Sequence, residues 1–176
     1  MSIKVLEHYN HSSVDRIVKV FRHIQQNIST QKFEEDMKTD DKTTTLINNL
    51  KSIPGVAERT IAAIISECGD LTRFPTTAKF IGYLGLFPTE NSSGNSKNTG
   101  HLSKRGSSIA KHALYMSAVG CLLHNPELKT LYDTKKSQGK SKKESLIAVS
   151  RKLATIIYAI FKYNTPYNPN RVFAKS

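Results

Sequence analysis

Apolar residues recur every three or four positions along most of the chain, and this spacing is typical of amphipathic helices. In the first segment, residues 12–38, the spacing produces one narrow stripe: Val14, Ile17, Val18, Phe21, Ile24 and Ile28. Such a stripe is typical of half a coiled coil or of a dimer interface, and equally of a helix packed on its own domain. The sequence shows no alternating strand pattern and no internal repeat. We therefore predict an all-α protein, with a homo-oligomer through residues 12–38 if the stripe pairs with a second copy.

A polar stretch separates this first helix from the rest of the chain. Five acidic residues fall within residues 34–41, but their spacing matches no calcium-binding loop and no histidine accompanies them. We interpret the stretch as a solvated helix end or linker, and we predict no metal site in the chain. The predicted organisation is a helical extension over 1–45, a compact helical domain over 46–168, and a Pro/Asn-rich extended tail over 169–176.

Pro54 and Gly55 interrupt the apolar pattern between two short helices. Pro54 stops the preceding helix, and Gly55 permits a tight turn into a helix that starts near Val56 or Ala57. This order of residues is typical of a helix-hairpin-helix element, in which N–H groups of the turn face a phosphate. An ordinary helical hairpin has the same pattern, so a phosphate contact at Gly55 is one of two interpretations.

Later helices are delimited by caps and prolines. A helix that opens at Thr76 or Thr77 is predicted to run to Pro88, and Ser107 is predicted to cap the next. Pro126 suits the first position of the helix after that. The spacing beyond Ser107 predicts a buried set of Ile109, Ala113, Leu114, Met116 and Cys121.

The last helix, SLIAVSRKLATIIYAIFKY, is the most apolar in the chain, so we predict that it lies in the centre of the core. Cys68 and Cys121 both fall in helical apolar patterns and are predicted to be buried, reduced thiols. No apolar run approaches the roughly 18 residues of a spanning helix. The N-terminus lacks the basic-then-apolar layout of a secretory signal. These features predict a cytoplasmic location and no membrane partner.

The net charge is +12, and the charged residues are unevenly placed. From Lys97 to the end there are 15 Lys and Arg against three acidic residues, whereas the first 96 residues hold 11 of each sign. All the excess positive charge therefore lies in the last 80 residues, as expected for a face that meets a polyanion. The pattern favours nucleic acid as the partner. A generic solubilising surface and an anionic membrane are the alternatives.

The candidate nucleic-acid-binding cations fall into three groups. The first group lies in or just after a serine-containing segment: Lys97, Lys104, Arg105 and Lys111. The second crowds a predicted loop around one glycine: Lys135, Lys136, Lys140, Lys142 and Lys143. The third, on the polar side of the last helix, is the pair Arg151 and Lys152. Lysines on a loop can follow a nucleic-acid backbone but cannot read bases.

The serine-containing segment carries Ser92, Ser93 and Gly94 among small residues, and it is predicted to be an exposed loop. A hydroxyl nucleophile needs exposure, nearby positive charge and a group that takes its proton. The segment predicts the first two of these conditions. Neither His101 nor His112 lies at a spacing that implies a triad, and a Ser-Gly turn that bonds its own backbone is the alternative.

Several separate motifs between residues 46 and 168 occur in the order of a known family. They are the I-P-G-V turn, D-L-T-R-F, the F-x-x-Y-x-G-L-x-P helix end, the S-S-G segment, and G-H-L-S-K-R-G before an A-L-Y helix. This region resembles the C-terminal transposase domain of the DEDD-type insertion-sequence transposases. Those proteins are relatives of the Piv DNA invertase and include the bridge-RNA-guided recombinases. The helix RKLATIIYAIFK also fits the family's final helix.

The resemblance implies DNA transposition by strand exchange through a transient phosphoserine link. In that family the serine before glycine in this segment attacks DNA. Ser93 matches that position here, and Ser92 is the register alternative. Lys104 and Arg105 would neutralise phosphate charge or hold the strand. The implied partners are DNA and a structured guide RNA.

The family's other half is a RuvC-like domain whose four carboxylates bind magnesium, and nothing before residue 46 resembles it. The resemblance therefore implies no cofactor in this chain, with magnesium expected only in the missing domain. We predict a DNA-binding, serine-bearing half of a recombinase that is inactive without that domain. The alternative is a non-catalytic DNA- or RNA-binding module derived from such a transposase.

Overall fold

A computed structural model describes residues 41–87 and 106–172 of the chain. These ranges contain seven α-helices and one 3-10 turn: α1 Asp41–Lys51, α2 Glu58–Cys68, the 3-10 turn Leu71–Arg73, α3 Thr77–Leu84, α4 Ser108–His124, α5 Pro126–Ser137, α6 Lys142–Tyr163 and α7 Pro169–Val172. Within them there is no strand, and the all-α prediction is confirmed. The helix predicted over 12–38 lies outside the described residues. Helix α1 crosses the predicted domain boundary at residue 45.

Helix α6 is the centre of the fold, as its apolar sequence predicts. It packs against α1, α3, α4, α5 and the 3-10 turn, and α4 also packs against α2 and α5. Its buried aliphatic side chains include Val149, Leu153, Ile156, Ile157 and Ile160. Each such side chain contributes roughly 1.5–3 kcal/mol when it is fully buried. Burial along α6 therefore joins five elements in one core.

Polar side chains cap the helices at several of the predicted starts. Thr76 caps α3 and Ser107 caps α4, and each accepts a hydrogen bond from the backbone N–H three residues on, at 3.3 and 3.1 Å. Asn125 caps α5, in which Pro126 takes the first position. The predicted starts of these three helices are confirmed, because a side-chain oxygen satisfies an N–H group that the helix itself cannot bond.

Helix α3 ends earlier than predicted. Its last residue is Leu84, not a residue next to Pro88. Gly85 adopts a left-handed conformation with φ of 68°, and its N–H bonds back to the carbonyl groups of Ile81 and Gly82. A glycine in this conformation is a common helix terminator, so Gly85 rather than the proline sets the end of the helix.

The buried face of α4 also differs from the prediction. Ile109 and Met116 were expected in the core, yet they are 57% and 53% exposed. The buried residues of α4 are Ala110, Leu114, Ser117, Ala118 and Cys121. Since apolar residues occur on every side of this helix, periodicity alone does not select one face. The face with small residues is the one that packs.

The turn between α1 and α2 packs directly on the backbone of α4. Gly55 has a φ of +86°, and a Cβ at this position would lie 2.7 Å from the Cα of Cys121. The Cys121 thiol donates to the carbonyl of Pro54 at 3.3 Å. Nearby, the hydroxyls of Thr60 and Ser117 share a buried hydrogen bond. Both cysteines are buried and free, so their predicted burial is confirmed.

The segment that follows α6 returns to α1. The side-chain nitrogen of Asn49 donates to the backbone and side-chain oxygens of Asn164, both at 2.9 Å. The N–H of Tyr167 donates to the hydroxyl of Ser52 at 2.8 Å. Helix α7 then forms where an extended tail was predicted. Its first residue is a proline, whose fixed φ suits that position.

Candidate nucleic-acid interface

The serine segment lies between the two described ranges. Its predicted functional residues, Ser92, Ser93, Lys97, Lys104 and Arg105, are all outside the described residues. The roles assigned to them stay predictions. The structure does describe the residues on either side of this segment, Phe87 and Gly106.

Both ends of the serine segment lie at the C-terminal end of α3. The chain leaves after Phe87, whose ring lies 3.6 Å from the position that a Cβ on Gly82 would occupy. It returns at Gly106, where φ is +85° and a Cβ would lie 2.5 Å from the carbonyl oxygen of Tyr83. Phe87 and Gly106, the described residues on either side of the segment, therefore lie beside the same turn of helix. We call this place the root of the serine segment.

The five lysines predicted in one loop surround the turn between α5 and α6. We call this group the lysine turn: Lys135, Lys136, Lys140, Lys142 and Lys143. The loop is shorter than predicted, because α5 continues to Ser137 and α6 begins at Lys142. Lysine is a good helix former, so the helices extend into the lysine-rich run and leave only residues 138–141 between them. Lys135 is half-buried and the other four lysines are exposed.

Hydrogen bonds order the lysine turn. Ser141 and Glu144 form a capping box at the start of α6, with bonds of 2.9 and 3.2 Å. The hydrogen bonds from the Ser141 side chain and backbone hold the pKa of Glu144 below its ordinary value of 4.5. The Lys136 ammonium donates to the carbonyl of Lys140 at 3.3 Å. The N-terminus of α6 adds a partial positive charge to this site.

The other described candidate cations lie on α4 and α6. Arg151 is on α6, about 12 Å along the helix axis from Lys143, and its guanidinium carbon lies 5.2 Å from the centroid of the Phe87 ring. Lys152 is half-buried, and this burial lowers its pKa. Lys111 is half-buried near the start of α4. The candidate cations that the structure describes are therefore spread over α4, α5 and α6.

The turn at Gly55 is explained by packing. The backbone of α4 leaves no room for a side chain there. Behind the turn, α2 starts after Ala57 without a side-chain cap. Glu58, in its first turn, forms an ion pair with Lys51 across the hairpin. The predicted phosphate contact and the helix-hairpin-helix assignment stay predictions.

Sequence reasoning missed two exposed aromatic rings with arginine partners. We call Arg73, Tyr83, Phe87 and Arg151 the arginine–aromatic patch. The Arg73 guanidinium carbon lies 5.0 Å from the centroid of the Tyr83 ring and 4.7 Å from that of Phe74. The spacing of α3 held a signal, because Tyr83 falls outside the buried stripe of that helix.

The described ranges contain neither a metal-binding cluster nor a membrane-spanning helix. In residues 41–87 and 106–172, no group of three or more His, Cys, Asp or Glu is placed to hold a metal ion. No helix in this part of the chain is long and apolar enough to cross a membrane.

Comparison with known proteins finds transposases and a DNA-inverting protein. The chain is 36% identical over 118 residues to the insertion element IS110 uncharacterized 43.6 kDa protein of Streptomyces coelicolor, which is 67% of this chain and 29% of that protein. It is 31% identical over 121 residues to the pilin gene-inverting protein of Moraxella bovis, at 68% and 38% coverage. It is 27% identical over 138 residues to the transposase for insertion sequence element IS1111A of Coxiella burnetii, at 77% and 38% coverage. The chain thus spans about a third of the length of these relatives.

The all-helical domain and these relatives place the chain in the transposase class. The sequence profile described as the transposase IS116/IS110/IS902 family matches residues 47–133. The chain belongs to that family, which confirms the resemblance drawn from its motifs. The match runs from within α1 to within α5, and it includes the serine segment.

Proposed function

We propose that the chain is the DNA-binding, serine-bearing half of an insertion-sequence recombinase, inactive without a RuvC-like metal domain. The family match over residues 47–133 carries this proposal, because it includes the serine segment. Ser93 is the proposed nucleophile, and Ser92 is the register alternative. Phe87 and Gly106, on either side of the segment, lie beside the same end of α3. This proximity supports an exposed loop that is attached to the helical domain at a single place.

In the proposed step, the hydroxyl oxygen of Ser93 attacks a phosphorus of the DNA backbone. A bond from the serine oxygen to phosphorus forms while the bond from phosphorus to a deoxyribose oxygen breaks. The serine proton passes through solvent to the deoxyribose oxygen, which leaves as a hydroxyl. Lys104 and Arg105 offset the negative charge on the phosphoryl oxygens in the transition state. Attack by the hydroxyl of a second strand reverses the step and completes strand exchange.

The lysine turn is the proposed site for the DNA backbone. Four of its five ammonium groups are on exposed residues, and the capping box fixes the helix start that carries Lys142 and Lys143. Contacts of this kind are independent of sequence and strongly dependent on salt. This surface therefore supplies affinity, and the choice of target belongs to other elements, among them the proposed guide RNA.

Trapping of a covalent adduct tests the proposal. The chain is mixed with a RuvC-like domain from a relative, cognate DNA and guide RNA, and the products are denatured and separated by mass. We expect a protein–DNA adduct that is lost in Ser93→Ala and kept in Ser92→Ala. An adduct that persists in Ser93→Ala would reject Ser93 as the nucleophile.

The same variants distinguish the proposed recombinase half from the alternative, a non-catalytic DNA- or RNA-binding module. A non-catalytic module would bind DNA or RNA with steep salt dependence, form no adduct, and bind equally well after Ser93→Ala. If the wild-type chain bound no duplex, single strand or RNA at low salt, both nucleic-acid proposals would fail.

We propose that residues 12–38 form the homo-oligomer contact, because their apolar stripe has coiled-coil spacing. Light scattering would compare the full chain with a version that starts at residue 41. Loss of the oligomer on truncation is the expected result. An unchanged mass would exclude these residues as the contact.

A further inference from the structure

The arginine–aromatic patch displays two rings outside the core. Tyr83 is 43% exposed and Phe87 is 38% exposed, whereas Phe80, one helical turn from Tyr83, is fully buried. The Phe87 ring covers Gly82, the chain neighbour of Tyr83. Two partly bare rings therefore lie at the same end of α3.

Neighbouring groups hold the Tyr83 ring in place. The Tyr83 hydroxyl donates to the carbonyl of Glu67 at 3.4 Å, and its ring centroid is 5.1 Å from that of Phe74. Phe74 is in turn fixed by the hydroxyl of Tyr158, which donates to its carbonyl at 2.6 Å. Because the Tyr83 ring is already positioned, the protein loses little conformational entropy when a ligand stacks on it.

Each ring has its own guanidinium partner. Arg73 lies 5.0 Å from the centroid of Tyr83, and Arg151 lies 5.2 Å from that of Phe87. Exposed aromatic rings beside arginines are the groups on which unpaired nucleobases stack, and every base has a suitable face. A paired base inside a duplex has both faces covered by its neighbours. This chemistry therefore selects bases that have left the stack.

The patch borders the root of the serine segment. The segment leaves the described fold directly after Phe87, and it returns where Gly106 contacts the backbone of Tyr83 and Leu84. A DNA strand bound at the root therefore passes near these rings. Lys143 of the lysine turn lies about 12 Å from Arg151 along α6, and the lysine turn is proposed to contact backbone charge instead.

We propose that the arginine–aromatic patch stacks against an unpaired base of the DNA strand held near the serine segment. The inference rests on the proposed DNA-binding function and deepens it, since it assigns base stacking to Tyr83 and Phe87 and charge to the two arginines. The chain then prefers DNA that is locally unpaired over continuous duplex of the same length.

Fluorescence anisotropy with the full chain tests the patch. The probes are a labelled duplex, the same duplex with a central unpaired bulge, and its single strand. The variant Tyr83→Leu/Phe87→Leu keeps apolar bulk and removes both aromatic faces. We expect it to weaken binding to the bulged and single-stranded probes about 10- to 100-fold, because the stacking of a base on the aromatic faces is lost. Duplex binding should be unchanged.

Tyr163→Leu is the matched control. Tyr163 is 66% exposed and has a cation, Lys162, 5.7 Å from its ring, but it lies at the far end of α6. We expect this variant to bind all three probes as the wild type does. Phe87→Leu alone serves if the double variant melts at a lower temperature, since its ring is exposed.

A fluorescent base analogue in the bulge supplies a second measurement, because stacking on an aromatic ring quenches its emission. The wild type should quench it and the double variant should not. Equal losses on duplex and bulged DNA, or no loss on either, would overturn the assignment. If the wild type bound none of the probes, the underlying DNA-binding proposal would fail first.

Discussion

Two glycines with nearly the same backbone angle occupy very different surroundings. Gly55 has φ of +86° and would place a Cβ 2.7 Å from the Cα of Cys121, whereas Gly139 has φ of +80° and no atom within 4 Å of its Cβ position. We expect Gly55→Ala to lower the free energy of unfolding by about 2–5 kcal/mol, from backbone strain and overpacking together. Urea unfolding followed by circular dichroism measures this change.

Gly139→Ala is the control for backbone strain alone. It should cost only about 1–2 kcal/mol, because the left-handed conformation is strained for alanine but the space is open. Equal losses for the two variants would show that the contact between the hairpin turn and α4 adds nothing to stability.

The buried thiol of Cys121 makes the free energy of unfolding fall as pH rises in the alkaline range. Burial raises its pKa from 9.0 to about 11, so the thiolate is disfavoured in the folded state. Its contribution to stability is complete below pH 9 and is lost as pH rises toward 11. We expect the urea midpoint of Cys121→Ala to fall less between pH 8 and pH 10 than that of the wild type. Parallel declines would exclude the thiol as a cause.

Among single residues, the caps were the most predictable features. Thr76 and Ser107 act through the N–H groups three positions away, so a short stretch of sequence contains the whole interaction. The signal at Gly85 was equally local in sequence. The helix was nevertheless predicted to end at Pro88, three residues later, because a proline is also a helix terminator. The exposed positions of Ile109 and Met116 could not be predicted from spacing, because α4 is apolar on every side and its neighbours decide which face is buried.

At the scale of elements, the start of α6 couples a cap to acid stability. The Glu144 carboxylate accepts from the Ser141 N–H, and its pKa is lowered by the hydrogen bonds from Ser141. The stabilisation is present above the ordinary pKa of 4.5 and is lost as pH falls through the folded value. We expect Glu144→Gln to lower the melting temperature more at pH 7 than at pH 3, because the variant differs from the wild type in charge only where Glu144 is ionised. An equal drop at both values would show that the carboxylate takes no part.

The lysine turn shows where element prediction fails. The five lysines were predicted to lie in one loop, but their helix-forming tendency moved the element ends inward from both sides. A run that was predicted to be a loop is therefore mostly helical. The backbone that carries these lysines is already ordered, which lowers the backbone entropy lost on binding.

At the scale of the whole molecule, the charge asymmetry predicts the salt dependence of binding. We expect Lys142→Gln/Lys143→Gln to weaken duplex binding uniformly across sequences. The slope of log affinity against log salt should become shallower by about 1.8, because two phosphate contacts are lost. Titrations at several salt concentrations measure this slope.

Lys129→Gln is the control for total charge. Lys129 lies on α5 and is already paired with Asp133 at 3.1 Å, so its loss should leave the slope unchanged. If it changed the slope half as much as the double variant, in proportion to one charge against two, net charge rather than the lysine turn would explain binding.

The arginine–aromatic patch could not be predicted, because it depends on contacts between distant parts of the chain. Arg73 precedes α3, Phe87 follows it, and Arg151 lies on α6. Motif order was enough to recognise the family, yet it contains no information on which side chains meet across the fold. Three-dimensional proximity added a candidate base-contacting surface to a site that the sequence described only by charge and hydroxyls.

The root of the serine segment has a consequence for how the segment can vary among members of the family. A chain that departs and comes back at one spot can change in length without reshaping its host, since closure entropy rises only slowly with added residues. Gly106, pressed against the carbonyl of Tyr83, is the fixed point of that arrangement. We therefore expect that the corresponding segments of other family members can be grafted between Phe87 and Gly106 without unfolding the helical domain.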